Sequence, residues 1–390
     1  MPSGHDDYTG NKEGVSLRKG CMQLTNFWLP LIWVLTAGAF FELLVPRQKV
    51  YVLGEPRMVW SRSSIIIVSL PLIFWAAFRS NQFGDTGIYR STFRNSTPGS
   101  LSQAIPYMLS SSKDRGFALL RVIIKWLTGG NDILYFLLIA AFQILLLFSI
   151  YRKYSSNVLI SITLFIISTD YIAWVFNGMR QFIAAVGIFA CTGLMLKKKY
   201  IPLILLILLY STIHGSAILM LPIIFIAQGS AWNKKTLLFI ILIILSVVFL
   251  DRFMNILDIM TEETQYAGTT TNEIWVNDDG TNVFRALVYS VPAIASLFGK
   301  VYIDRDNNPV INLCVNMSIF SSGFYVIAIF TSGIYVGRIP IYMSLYSYIL
   351  LPWLIERMFT ERSQKFVYII MFGMYFLFFY YQMHFIWGLL

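Results

Sequence analysis

Five arginines stand at the ends of apolar runs: Arg79 closes one, Arg180 opens another, Arg252 closes a third, and Arg285 and Arg338 open two more. A guanidinium keeps its charge when partly buried and donates paired hydrogen bonds from a planar fork, so arginines gathered at one level suit a phosphate-bearing substrate. The competing reading for each is a side chain reaching out to lipid phosphates. His214 lies in LLYSTIHGSAILMLP between Ser211 and Ser216, and an imidazole there can act as general base or acid near neutral pH. Its structural alternative is a helix-end histidine bonded to a carbonyl. Asp85, in FRSNQFGDTGIYRSTF, has glycines close on both sides and is followed by Tyr89; a turn-forming aspartate is the alternative. Asp170 and Glu42 fall near the ends of apolar runs and read as capping or interface residues.

Composition sets the elements that must hold these groups. Of 390 residues, 57% are apolar and 13% charged, which excludes a soluble globular protein. A bilayer span takes about 20 apolar residues. Twelve apolar runs can be read, at 24–45, 63–78, 133–151, 158–171, 182–196, 201–213, 216–227, 236–250, 283–298, 310–330, 339–355 and 366–387. The sixth and seventh are short and are separated only by His214 and Gly215, so they are two spans or one bent pair. The expectation is an all-α polytopic membrane protein of about 12 helices, a single integral domain over 1–390. It has a polar N-terminal tail (1–23) and two long external loops (79–132 and 251–282). No room is left for a separate soluble catalytic domain.

Orientation follows from Lys and Arg near span ends, which stay cytoplasmic. Every second connection is basic: Arg47, Lys49, Arg57 and Arg62; Arg152 and Lys153; Lys197 to Lys199; Lys234 and Lys235; Lys300 and Arg305; Arg357, Arg362 and Lys365. These hold 16 of the 30 basic residues and put both termini outside, against the grain of Lys12, Arg18 and Lys19 in the tail. The net charge of +10 is then a topology signal, and no nucleic-acid partner is implied. In the first external loop RGFALLRVIIKWL spaces Phe117, Leu120, Ile124 and Leu127 along one helical face, as in a helix lying in the membrane interface. The second loop is acidic, with Asp258, Glu262, Glu263, Glu273, Asp278 and Asp279, and reads as a partly mobile rim. Cys21, Cys191 and Cys314 lie far apart, with no CxxC pair or histidine cluster, so no disulfide framework or metal site is expected. There is no Walker A, GxGxxG, HExxH or nucleophile-elbow motif.

The stretch FNGMRQFIAAVGIFACTGLMLKKKY, followed by LLYSTIHGSAILMLPIIFI, resembles the central signature of the EpsG-like branch of the O-antigen and exopolysaccharide polymerases, the Wzy group. The shared pattern is an Arg-Gln pair opening a span, a lysine-rich turn, and a His with small neighbours before a Leu-Pro. FRSNQFGDTGIYRSTF, KDRGFALLRVI and GRIPIYMSLYSYILLPWLI extend the likeness from about Arg79 to Pro352. The resemblance implies a GT-C-like glycosyltransferase of the bacterial inner membrane with its active site facing the periplasm, and with neither metal nor cofactor. Its partners would be an undecaprenyl-diphosphate-linked glycan donor and acceptor, with a chain-length regulator and a flippase as accessory proteins. Arg180, Arg285, Arg338 and Arg79 would bind the diphosphate, His214 ahead of Asp85 would take the acceptor proton, and Gln181, Tyr89, Asn177 and Arg252 would complete the substrate site. A flippase for lipid-linked oligosaccharide, or a polytopic acyltransferase, is the rival expectation.

Overall fold

The computed structural model describes residues 27–81, 83–261 and 280–389. The tail at 1–23, Cys21 and the acidic residues from Glu262 to Asp279 lie outside them. Each of the twelve apolar runs is helical over its described residues, but helix lengths give fewer full spans. Asp132–Tyr154, Met179–Leu196, Pro309–Phe330 and Glu361–Ile386 are each long and apolar enough to cross a bilayer, and four bent pairs raise the number from 4 to 8. The other four runs are apolar helices of 10–17 residues, among them Tyr200–Ile213 and Gly215–Ile226 on either side of His214. Among the described residues, length and composition thus support four to eight spans and do not confirm the expected twelve, because several runs are short or are broken within the apolar stretch.

Asparagines open the helices. Asn131, Asn157, Asn233, Asn282 and Asn308 each accept hydrogen bonds from N–H groups of the first turn that follows, which would otherwise be orphaned in an apolar setting. Rows of exposed Leu and Ile on Tyr200–Ile213 and Lys234–Val248 suit contact with lipid tails, since helices satisfy their own backbone there. The all-α expectation also misses one feature, an antiparallel hairpin of β1 (Gln48–Val52) and β2 (Glu55–Val59) within the first basic loop. Its turn is Leu53-Gly54, both at positive φ (53° and 91°), the geometry that matches strand twist.

The hairpin helps gather the basic loops at one end of the bundle. Arg57 donates to the carbonyls of Tyr154 (2.8 Å) and Ser155 (3.0 Å) and faces Glu356 electrostatically. Lys153, Lys197 and Lys199 share a cavity with Tyr51 of β1. Arg357 pairs with Asp306 at 3.0 Å, and Asn312 ties the Ala231 turn to Asn307. All six basic connections thus meet on one face, as one-sided charge retention requires. A cysteine at Ser100 is expected to react with an impermeant maleimide added to intact cells, and one at Lys198 only after permeabilisation. The reverse pattern would turn the protein over.

The first long loop is largely helical. Its helix Arg115–Thr128 buries Phe117, Ala118, Val122 and Ile124, while Trp126 and Leu127 stay exposed. The buried stripe is rotated from the expected one because this helix packs on Tyr200–Ile213 and Asp132–Tyr154. Close packing is possible at Gly116, where a Cβ would sit 2.1 Å from Thr212 Oγ1.

Candidate active site

Away from the basic end, three helix termini converge. Met179–Ala190 carries Arg180 and Gln181 in its first turn, Tyr200–Ile213 ends at His214, and Arg115–Thr128 begins beside Asp114. Arg180 pairs with Asp114 at 2.6 Å, donates from Nε to the Tyr89 hydroxyl at 3.3 Å, and lies over the Tyr89 ring with its Cζ 5.8 Å from the centroid. The other Asp114 oxygen accepts the Gly215 N–H at 3.2 Å. The Asp114 carboxylate therefore locks the Arg180 helix to the His214 break.

His214 lies between the two short helices. Its Nδ1 is 2.8 Å from Ser216 Oγ, which is 2.9 Å from the Tyr342 hydroxyl. Gln181 Nε2 donates both to Ser216 Oγ (3.2 Å) and to the Arg338 carbonyl (2.9 Å). Since a carbonyl can only accept, this fixes which end of the Gln181 amide faces Ser216. Burial first, then the Arg180 and Arg338 guanidiniums, pushes the imidazole down to about 3, so the free site holds a neutral ring. Asp85 opens Thr86–Ser91 without using its side chain as a cap. Its backbone N–H donates to Asn177 Oδ1 at 3.2 Å, and its carboxylate acts electrostatically on Arg180.

Asn177, Gly178 and Arg338 also form one wall of a cavity of about 600 Å³. Arg285 and Arg338 line it with Trp174, Asn282, Gln382 and Trp387, and among the described residues no Asp or Glu does. Two cations, amides and indoles are the groups that hold a phosphate beside a sugar. The structure thus brings Arg180, Gln181, Tyr89, Asn177, Asp85 and His214 into one cluster and sets Arg285 and Arg338 on the adjoining cavity.

The other two arginines are placed elsewhere. Arg79, 2% exposed, donates to the carbonyls of Ala76, Val175 and Phe176 and is stacked between Phe136 and Phe176. It clamps backbone behind the cavity. Arg252 is exposed on the helix Leu250–Thr261 and lines neither cavity nor cluster. Among the described residues no group of three His, Cys, Asp or Glu side chains could hold a metal ion.

Two carboxylates matter more than the sequence shows. Asp114 adopts a left-handed conformation (φ 50°, ψ 50°) and makes no cap bond, an uncommon state for a non-glycine residue that clusters at functional sites. Burial raises its carboxyl above the ordinary range despite the Arg180 charge. Its only signal in sequence is an aspartate in front of an amphipathic helix. Asp170, read above as a capping residue, is instead fully buried at a 69° break between Val158–Ile167 and Tyr171–Asn177. It accepts from Tyr348 (2.6 Å), Trp174 (3.0 Å) and Tyr289 and faces Arg285 electrostatically. Removing one partner from such a network leaves the others unpaired in low dielectric, so Asp170→Ala is expected to cost about 3 to 5 kcal/mol. Thermal unfolding in detergent checks this, and a melt matching wild type would show that the acceptors are dispensable.

No curated protein and no solved structure matches the chain. The family model for the EpsG family matches residues 63–387, a stretch that contains every member of the cluster and the cavity wall except Leu389. The chain belongs to the EpsG family.

Proposed function

We propose that the protein is a Wzy-type, GT-C-like polysaccharide polymerase that joins undecaprenyl-diphosphate-linked O-antigen or exopolysaccharide repeat units at the periplasmic face of the inner membrane. Family membership supports the reaction class. The observation that carries the mechanism is the cavity with Arg285 and Arg338, lined by no Asp or Glu among the described residues, beside the Arg180–His214 cluster.

In this reaction the anomeric C–O bond of the donor glycan to diphosphate breaks, the acceptor hydroxyl oxygen bonds to that carbon, and undecaprenyl diphosphate leaves. Arg180, Arg285 and Arg338 oppose the charge that develops on the leaving diphosphate. Fixed cations at a forming anion are commonly the largest catalytic contribution. Asp114 and Tyr89 hold Arg180 in place before substrate arrives. His214 takes the acceptor proton at Nε2, which has no hydrogen-bond partner among the described residues. That role needs the tautomer with hydrogen on Nδ1, donated to Ser216 while Ser216 donates to Tyr342.

One glycan gel tests the class. Deleting the gene is expected to leave single repeat units on the lipid core. Loss of all units would indicate a flippase, and an unchanged ladder with lighter sugars an acyltransferase.

A further inference from the structure

We propose that the basic end of the bundle carries a second site, which binds the phosphate of an anionic membrane lipid. A cavity of about 310 Å³ opens between the hairpin turn, the end of Asp132–Tyr154 and the turn after Thr192–Leu196. Lys153, Lys197 and Lys199 belong to its wall, and among the described residues no carboxylate does. Among the described residues none of the three forms an ion pair. Glu42, Asp304 and Asp306, by contrast, are already paired with Arg47, Lys300, and Arg305 with Arg357. Three like charges around one concavity repel one another unless an anion sits among them. The cavity is at the small end of ligand-site volumes, which suits a headgroup better than an oligosaccharide.

The rest of the wall decides between a free phosphate and a lipid. Leu53, Ala190 and Leu194 supply apolar surface beside the ammonium groups. A glycerophospholipid offers both chemistries at once, and basic pockets between helices at the cytoplasmic side are where anionic headgroups are held. Gly193 keeps the space open: a Cβ there would lie 3.2 Å from the Tyr154 hydroxyl and 4.0 Å from Lys153 Nζ. The bound lipid would bridge the hairpin to the ends of two spans that share no hydrogen-bonded strand with it.

The test uses the full-length protein in a neutral detergent, offered phosphatidylglycerol, cardiolipin, phosphatidylcholine or inorganic phosphate, with retained ligand counted by native mass spectrometry. Wild type is expected to retain the two anionic lipids at least about tenfold better than phosphatidylcholine. Combined Lys153→Gln, Lys197→Gln and Lys199→Gln is expected to erase that preference. Arg362→Gln with Lys365→Gln, which removes charge at the same end outside the cavity, is expected to keep it. If the triple variant does not remain folded, Lys153→Gln and Lys197→Gln are read singly, each with a severalfold loss expected. A preference that survives these lysine substitutions overturns the site. Retention of inorganic phosphate with no preference among lipids overturns the lipid assignment.

Discussion

Arg180→Ala is expected to make no polymer, and Arg180→Lys to lose about 2 to 4 kcal/mol of transition-state stabilisation, roughly 30- to 900-fold in rate. Lysine preserves the charge but not the fork that reaches the Asp114 carboxylate at 2.6 Å and the Tyr89 hydroxyl at 3.3 Å while still facing a substrate. The alanine variant alone is ambiguous. Asp114, whose side chain is 9% exposed, would be left as an unpaired carboxylate, and that loss of pairing is itself destabilising. The double variant Arg180→Ala with Asp114→Ala separates the two effects. If Arg180 only balances Asp114, removing both restores polymer along with stability; if it binds the donor diphosphate, stability returns and activity does not. Thermal unfolding and a polymerisation assay on the same preparations give the answer, and a double variant that polymerises at wild-type rate would remove Arg180 from the mechanism.

What the sequence reveals of this site depends on contrast with its surroundings. Arg180, Gln181 and His214 are polar residues beside long apolar runs, and the cost of placing such groups near a bilayer makes them visible without any partner. Asp114 and Asp170 lack that contrast. Asp114 sits in a polar loop, and its partners Arg180 and Gly215 are 66 and 101 residues away. The Asp170 acceptors serve Tyr289 and Tyr348, 119 and 178 residues on. Arg79 is the converse case: its type and position suggest a ligand-binding cation, while the partners that occupy it are backbone carbonyls, which no side-chain pattern announces.

The fold divides along similar lines. Apolar runs mark helices because length and hydropathy are local properties. The break at Ser168 to Asp170 interrupts a run that reads as continuous, and it is held by tertiary hydrogen bonds, not by a proline or a glycine. The hairpin is hidden for another reason. Its strands are only five residues each and carry Gln48, Lys49, Glu55 and Pro56, so neither shows the alternation of a half-buried strand.

His214→Gln is expected to fold normally and to reduce polymerisation by about 10²-fold or more, since an amide can hold the Ser216 contact but cannot take a proton. The pH dependence gives the sharper test. In the free site burial, Arg180 and Arg338 hold the imidazole at about 3, so it is neutral at every working pH and kcat/KM should show no ionisation of His214. An imidazole that weakly basic is a poor proton acceptor. A bound diphosphate, however, brings negative charge next to the two guanidiniums that depress it, and an opposite charge nearby favours the imidazolium form. The folded-state value therefore rises when substrate binds, and kcat should fall with decreasing pH through a group that is absent from the kcat/KM profile. The donor would supply both the bond to be broken and the basicity needed to deprotonate the acceptor. Wild type is expected to show this split between the two profiles and His214→Gln to lack it. If the variant keeps the acid limb in kcat, the titrating group lies elsewhere, and Asp85 and Asp114 become the carboxylates to replace.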